Sequence, residues 1–166
     1  MIAMSAPLEI VLDYLMRLVE SQVTGISGSV LLLDNDGVHL RHGAAPSLSK
    51  AYASAIGGVR IGPKVGSCGT AVYRRETVIV SDIMRDPLWE DFRELAAAHG
   101  HRSCWSSPIL SHQGEVLGTF ALYSSEVRER RGQSCASSSC RIDWQELRSN
   151  ASRLKRESSS WPIMMR

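Results

Sequence analysis

The spacing of apolar residues predicts an amphipathic helix near the beginning of the chain. Over residues 8–22, apolar side chains recur every three or four positions, and charged side chains occupy the opposite face. Ser5 is a suitable N-cap, and Pro7 is tolerated in the first turn because no N–H partner is lost there. The apolar face comprises Leu8, Val11, Leu12, Leu15, Leu18 and Val19. We expect this face to pack against a partner surface.

Runs of apolar and β-branched residues predict about five strands. They lie at residues 29–33, 38–42, 77–80, 102–110 and 115–123. The first and the last of these segments are apolar on both faces, which is typical of strands inside a sheet. Turn sequences at residues 34–37 and 111–114 join neighbouring strands into hairpins.

Short helices are predicted between the strands, at residues 48–56, 68–74 and 87–99. The last of them is the best marked, because Asp86 is a favourable N-cap and Pro87 suits the first helical position. Helices interspersed with hairpin-connected strands predict an α/β (α+β) fold built on an antiparallel-rich sheet.

The composition is that of one soluble globular domain. The chain has 166 residues, of which 43% are hydrophobic and 22% charged. A net charge of +2 gives no reason to expect nucleic acid or an anionic membrane as the main partner. No apolar run approaches the roughly 18 residues of a membrane helix, and residues 1–7 lack the features of a secretory signal. Four cysteines without export indicate reduced thiols, so we expect a cytoplasmic protein.

Charge and serine content divide the chain into two parts. Residues 1–123 carry 10 basic and 12 acidic side chains, whereas residues 124–166 carry 9 basic and 5 acidic side chains together with 11 serines. The sequence therefore predicts a folded domain at 1–123 and an atypical Ser/Arg-rich tail at 124–166.

Five motifs occur in order within the first part, and each alone is weak. They are GPKVGSCGTA at residues 62–71, VIVSDI at 78–83, DPLW at 86–89, RSCWSSPI at 102–109 and GEVLGTFALY at 114–123. Together they resemble GAF domains, the small ligand-sensing modules of bacterial signalling proteins. The resemblance covers roughly residues 8–123. It is closest to the variety found ahead of histidine kinase, diguanylate cyclase or cyclic-di-GMP phosphodiesterase modules.

The resemblance implies helices on both faces of the sheet, with the first helix on one face and a ligand cavity on the other. It also implies a closing C-terminal helix beside the first one, often in a dimer bundle. Residues 124–166 depart from that pattern. Two interpretations stay open: a frameshift that removed the output domain, or a natural flexible tail. An output domain is accordingly expected to be lost or to lie on another chain.

Six residues are candidates for ligand contact: Ser67, Cys68, Thr70, Asp82, Trp89 and Trp105. The first three lie at a helix start, where free N–H groups can hold an anion; the structural alternative is a tight turn capped by Ser67. The other three are polar or aromatic groups able to orient a ligand in an apolar pocket. Their structural alternatives are a turn cap at Asp82 and core packing at the two tryptophans.

Cys68 raises the question of an enzyme. Free methionine-(R)-sulfoxide reductases, one GAF branch, carry a cysteine in a similar Cys-Gly-Thr-Ala motif and resolve the oxidised nucleophile with a second cysteine. That branch places further cysteines between the following strand and the next helix, and residues 78–100 contain none. Cys104 lies in a later strand motif. A reductase is therefore the less favoured alternative.

Metal and cofactor sites have little support in the sequence. The aspartates of residues 34–37 do not match a calcium loop, because the glycine comes too early. His99, His101 and Cys104 lie on different predicted elements, and Cys135 with Cys140 lacks the second pair that zinc requires. Motifs for bilin attachment and for cyclic-nucleotide binding are also missing. The cofactor is left unknown.

The sequence thus predicts a non-enzymatic regulatory GAF domain of bacterial signal transduction. We expect it to bind an unidentified small cytoplasmic ligand and to signal through its terminal helices, in two-component or cyclic-di-GMP pathways. The alternative is a dimerisation module without a ligand, and a homodimer through the first helix is expected in either case.

Overall fold

The computed structural model describes residues 7–128. The predicted N-cap Ser5, the cysteines Cys135 and Cys140, and nearly all of the predicted Ser/Arg-rich tail lie outside the described residues.

A single antiparallel sheet of six strands forms the centre of the described unit, in the order β3-β2-β1-β6-β5-β4. The strands are β1 Ile26–Leu33, β2 His39–Ala44, β3 Val59–Arg60, β4 Val78–Val80, β5 Ser103–Leu110 and β6 Val116–Ser124. The helices are α1 Leu8–Gln22, α2 Lys50–Ile56, α3 Gly66–Arg74 and α4 Arg93–Ala98, with a 3₁₀ helix at Pro87–Phe92. The predicted α+β class is confirmed.

The predicted count of about five strands is one short of the six observed. The additional strand is β3, which pairs Val59 with Leu40 and Arg60 with His39. A strand of two residues, directly after Gly57 and Gly58, is too short to show an alternation of apolar and polar positions, so the sequence did not reveal it. This strand forms one edge of the sheet, next to the residues that lead into α3.

Strands β1 and β6 lie at the centre of the sheet, as their apolar faces predicted. Their close pairing depends on Gly118, which lies opposite Leu32. A Cβ at Gly118 would collide with the carbonyl oxygen of Leu31 and lie 2.9 Å from Cα of Leu32. Only glycine therefore fits at this crossing of the two backbones.

The first helix covers one face of the sheet through Met16, its one buried residue. Met16 fills the space above Gly28, where a Cβ would collide with the methionine methyl group. Part of the predicted apolar face does not point toward the sheet, because the side chains of Val11 and Leu18 are 42% and 37% exposed. The apolar period of α1 is broad enough to allow several rotations, and the gap at Gly28 selects the one that buries Met16.

The opposite face of the sheet carries α3 and the larger part of the core. Alternation along β6 separates the two faces, because Leu122 points toward Gly28 and α1 while Tyr123 points toward Cys68 on α3. The fold thus has its first helix on one face and its candidate cavity on the other.

Candidate functional site

A pocket lies on the α3 side of the sheet; it is half open to solvent, and its cavity volume is small, about 30 Å³. Its apolar walls come from β1 and β2, from the segment around β3, and from the 3₁₀ helix and α4. The lining residues are Leu31, Leu40, Ile56, Val59, Val65, Gly66, Ser67, Cys68, Gly69, Trp89, Phe92, Leu95 and Tyr123. None of these residues is charged.

Ser67 and Trp89 meet at the start of α3. The indole Nε1 of Trp89 donates a 2.9 Å hydrogen bond to Ser67 Oγ, and both residues are buried. Gly66 suits the start of the helix because its φ is +55°, which glycine adopts without strain, and the indole lies at an ordinary contact distance of 3.8 Å from the position that a Cβ would occupy. Ser67 does not cap α3, because the residue at the N-cap is Val65. The turn-cap interpretation of Ser67 is therefore wrong.

Cys68 and Tyr123 meet at the floor of the pocket. Cys68 Sγ and Tyr123 Oη share a hydrogen bond of 3.5 Å, and Ser29 Oγ donates to the same phenolic oxygen at 3.4 Å. Burial raises the pKa of Tyr123, so this hydroxyl is protonated at neutral pH. The floor thus offers a thiol and a phenol as its polar side-chain groups.

The structure brings Cys104 next to Cys68, which the separation of their motifs did not suggest. Cys104 is the cross-strand partner of Tyr123 and is fully buried. A hydrogen bond with the Cys104 thiol is the main cause that lowers the pKa of Cys68, whereas burial raises the pKa of Cys104. Cys68 is therefore the more nucleophilic of the two thiols.

A cluster of aromatic rings packs against Tyr123 at the floor of the pocket. The ring of Tyr52 lies 5.5 Å from that of Tyr123 and 4.6 Å from that of His101. Burial, with a smaller contribution from the charge of His99, lowers the pKa of His101 to about 4. The imidazole of His101 is therefore uncharged at neutral pH and adds no charge near the pocket.

Thr70 and Asp82 have local structural partners instead of a place in the lining. Thr70 Oγ1 accepts a 3.1 Å hydrogen bond from the N–H of Val65 and so fixes the start of α3. Asp82 Oδ1 accepts from the N–H of Met84 at 3.0 Å, and the carboxylate also lies 3.6 Å from Arg85 and from Arg102. These contacts match the turn-cap interpretation of Asp82.

Trp105 lies on the α1 side of the sheet. Its cross-strand partner is Leu122, and its ring packs against Phe120 at 5.6 Å. Cys104, one position earlier, points toward the pocket side. Of the six candidate residues, the structure therefore brings Ser67, Cys68 and Trp89 together at the pocket, and it places Trp105 on the other side of the sheet.

Several lining residues were missed in the sequence, chiefly Tyr123, Phe92 and Leu95. Tyr123 follows from strand pairing once Cys104 is known to face the pocket, but the sequence does not show which of Cys104 and Trp105 faces it. Phe92 and Leu95 lie within the predicted helix at residues 87–99, but nothing in the sequence marks a cavity beside it.

Two further findings concern the described residues alone. No group of three or more His, Cys, Asp or Glu among residues 7–128 could hold a metal ion. No helix in the same range is long and apolar enough to span a membrane.

Comparison with known proteins matches this architecture to one family. The family model for the GAF domain matches residues 5–132. The chain is 42% identical over 130 residues to the methyl sulfide methyltransferase-associated sensor of Methanosarcina acetivorans. That alignment covers 78% of this chain but only 13% of the relative, so the chain spans about an eighth of the relative's length.

Solved structures show the same fold at low sequence identity. A GAF sensor protein from Burkholderia vietnamiensis, described as putative, has a TM-score of 0.63 at 21% identity, covering 92% of this chain and 80% of that chain. Free methionine-R-sulfoxide reductase from Neisseria meningitidis, in complex with its substrate, has a TM-score of 0.62 at 17% identity, with coverage of 92% and 77%. The family match, the sensor relative and the shared architecture agree, and the chain belongs to the GAF domain family.

Proposed function

We propose that this GAF domain is a non-enzymatic regulatory sensor that binds a small cytoplasmic molecule in the pocket between α3, the 3₁₀ helix and the sheet. The observation that carries the proposal is the meeting of Ser67, Cys68 and Trp89 at one cavity. A pocket with apolar walls and a few convergent polar groups is the usual form of a ligand site. The family and the sensor relative support a regulatory role.

The sheet offers a route from the pocket to α1. Tyr123 forms the pocket floor, and its neighbour Leu122 lies against the position that Met16 fills above Gly28. A ligand that displaces Tyr123 must therefore also shift the contact between Leu122 and α1. The ligand signals only if it binds two arrangements of this contact with different affinity.

Native mass spectrometry with a pocket-filling variant tests the binding step. We expect excess mass on the folded protein that is lost on denaturation, and we expect the Leu95→Trp variant to lose it. Leu117→Trp is the matched control, because Leu117 is 47% exposed on β6. A bare native mass for the wild-type protein isolated from its own host contradicts the proposal, as does equal ligand content in the two variants.

A thiol-based reductase is the second candidate, favoured by the contact between the Cys68 and Cys104 thiols. In such a reaction Cys68 would attack the sulfur of a sulfoxide, releasing the sulfide and leaving a sulfenic acid. Cys104 would then form a disulfide with loss of water, and thioredoxin would reduce it. If this candidate is correct, the protein consumes free methionine sulfoxide in the presence of thioredoxin kept reduced with NADPH. Both Cys68→Ser and Cys104→Ser must lose this activity. Unchanged sulfoxide excludes this candidate.

We also propose a homodimer through α1, with or without a ligand. Its outward side carries Ile10, Val11, Tyr14 and Leu18, each between 37% and 67% exposed. These residues recur at helical spacing and form one apolar stripe, hereafter the α1 stripe. A second copy of the same stripe would cover it, as in isologous helix pairing.

A further inference from the structure

Two free cysteines are in contact at the floor of the pocket. Cys68 comes from the first turn of α3, and Cys104 comes from β5, where it pairs with Tyr123 of β6. Cys68 Sγ lies 3.5 Å from the Tyr123 hydroxyl, and the two thiols are hydrogen-bonded to each other. A disulfide between them would therefore join α3 to β5 at a point where these two elements already pack together.

Several proton donors surround the sulfur of Cys68. The hydrogen bond with Cys104 lowers the pKa of Cys68 most, whereas burial raises it, and hydrogen bonds with Tyr123 and Ser106 lower it further. The Tyr123 hydroxyl accepts from Ser29 Oγ at 3.4 Å, which leaves its own O–H to donate to the sulfur. Cys68 also lies in the first turn of α3, where the helix dipole favours a negative charge. The site therefore stabilises the thiolate of Cys68.

The cavity beside this thiol has room for a very small molecule. Its volume is about 30 Å³, and it is half open to solvent. A site needs about 10–15 Å³ of such volume to hold one water, so this cavity takes about one or two molecules of that size. Hydrogen peroxide, with two oxygen atoms, meets this limit. Cys68 lines the cavity, whereas Cys104 is 1% exposed and does not, so an entering molecule meets Cys68 first.

The charged side chains around the cavity do not decide whether hydrogen peroxide enters, because the molecule is uncharged. Charged residues of both signs adjoin the lining in sequence: Arg60, Lys64, Glu90, Asp91, Arg93 and Glu94. Lys64 and Glu90 pair with each other at 3.3 Å, and the Arg93 guanidinium donates to the carbonyl oxygen of Asp86 at 3.1 Å. Burying an uncharged oxidant avoids the large desolvation cost that a charged one would have.

We propose that Cys68 and Cys104 form a peroxide-reactive dithiol, which hydrogen peroxide in the cavity oxidises to a disulfide. The Cys68 thiolate attacks one peroxide oxygen: the S–O bond forms, the O–O bond breaks, and the departing hydroxide takes a proton from solvent and leaves as water. The Cys104 sulfur then attacks the sulfenic acid of Cys68. The S–S bond forms, the S–O bond breaks, and the second hydroxide leaves as water with the Cys104 proton. Two thiols and one peroxide thus give one disulfide and two waters.

This activity goes beyond the proposed function, because it needs neither the ligand nor methionine sulfoxide. Oxidation is measured on the protein without ligand, so its failure leaves the ligand-binding proposal standing. A protein that reacts with peroxide but leaves methionine sulfoxide unchanged has the dithiol without the reductase activity.

Oxidation of the full chain in a Cys135→Ser/Cys140→Ser background tests the proposal, because Cys68 and Cys104 are then its two cysteines. We expect one equivalent of hydrogen peroxide to remove two hydrogens from the intact mass, peptide mapping to identify a Cys68–Cys104 disulfide, and thioredoxin to reverse the change. In Cys104→Ser the sulfenic acid has no resolving thiol, so Cys68 should gain oxygen instead. A pair that stays reduced, or oxygen added first at Cys104, overturns the proposal.

The choice of oxidant tests the part played by the cavity. At pH 7.5 hydrogen peroxide should oxidise Cys68 at least about tenfold faster than free cysteine, because more of this thiol is ionised. Cumene hydroperoxide should react at least about tenfold more slowly than hydrogen peroxide, after each rate is divided by that of free cysteine, because its bulk keeps the peroxide oxygen from the sulfur. Equal normalised rates for the two oxidants, or a rate no faster than that of free cysteine, overturn the proposal.

The variant Tyr123→Phe tests the donors around the sulfur. Removing one hydrogen bond to the thiolate should slow oxidation by hydrogen peroxide about tenfold. Tyr73→Phe is the matched control, because Tyr73 is 55% exposed on α3, and its rate should equal that of the parent protein. If Tyr123→Phe does not fold, Ser106→Ala removes another of the donors and repeats the test. An unchanged rate in the folded donor variant contradicts the proposed activation of Cys68.

Discussion

The indole nitrogen of Trp89 and the hydroxyl of Ser67 join the 3₁₀ helix to the start of α3 through a buried hydrogen bond of 2.9 Å. Because both residues line the pocket, this bond sets the separation of two of its walls. The same contact holds the indole 3.8 Å from the Cβ position of Gly66, an ordinary van der Waals distance.

Removing the Ser67 hydroxyl should therefore destabilise the domain. In Ser67→Ala the buried Nε1–H loses its partner, and we expect the free energy of unfolding to fall by about 1–3 kcal/mol. Urea unfolding followed by tryptophan fluorescence measures the change. Ser54→Ala, on the exposed side of α2, serves as the control and should be neutral. An equal effect in both variants would show that the hydrogen bond is not important for stability.

The fit of Met16 above Gly28 should behave as a coupled pair. Gly28→Ala places a methyl group against the methionine and should cost about 1–3 kcal/mol by overpacking. Met16→Ala opens a cavity and should cost about 2–5 kcal/mol. In the double variant the new methyl group occupies part of that cavity, so the loss should be smaller than the sum of the two. Strict additivity in denaturant unfolding would contradict this packing.

The free energy of unfolding should decrease as the pH is lowered, because His101 becomes protonated. Its pKa of about 4 in the folded state lies below the ordinary value of 6.5, so the unfolded chain binds more protons between these values. The contribution is fully present above pH 6.5 and is lost as the pH falls toward 4, by about 2 kcal/mol once solvent screening is considered. His101→Phe should flatten this part of the curve, whereas the exposed His112→Gln should retain it. A slope unaffected by His101→Phe would refute the assignment.

The two thiols should differ in reactivity. Cys68 is partly exposed and has a lowered pKa, whereas Cys104 is 1% exposed and has a raised one. We expect iodoacetamide to alkylate Cys68 at least about tenfold faster at pH 7.5, because the thiolate is the reacting species. Timed labelling with peptide mapping measures both rates in one sample. Faster labelling of Cys104 would reverse the roles given to the two cysteines.

Self-association should depend on the α1 stripe. Tyr14 is 67% exposed, so Tyr14→Asp leaves the core intact and puts a charge into the proposed dimer contact. Sedimentation velocity should show more monomer, because the dissociation constant of the dimer rises about tenfold or more. Thr24→Asp, at an exposed position beyond α1, is the control. Equal sedimentation of Tyr14→Asp and wild-type protein would remove α1 from the interface.

The sequence predicted the larger features of the fold because they follow local rules. Apolar runs on both faces marked β1 and β6 as central, and the Asp86–Pro87 pair marked the start of the 3₁₀ helix, where Asp86 accepts from the N–H of Leu88. The rotation of α1 could not be predicted, since it depends on a gap at Gly28 that only the folded sheet creates.

Only part of the site could be predicted, because the sequence does not show which face of the sheet a given strand residue points to. Trp89 and Trp105 are both aromatic residues in recognisable motifs, but their side chains lie on different sides of the structure. Trp105 and Cys104 are adjacent on β5, so a shift of one position decides which of them faces the pocket. The contact between Cys68 and Cys104 likewise requires the packing of α3 on β5, which no local pattern encodes.

The central claim is that occupation of the pocket changes the environment of α1. Hydrogen exchange followed by mass spectrometry tests it most directly, comparing the protein isolated with its ligand and the same protein after the ligand is removed. We predict slower exchange in residues 66–74 and 87–98 together with altered exchange in residues 8–22. Protection confined to the pocket segments, with α1 unchanged, would contradict the account of how this domain signals.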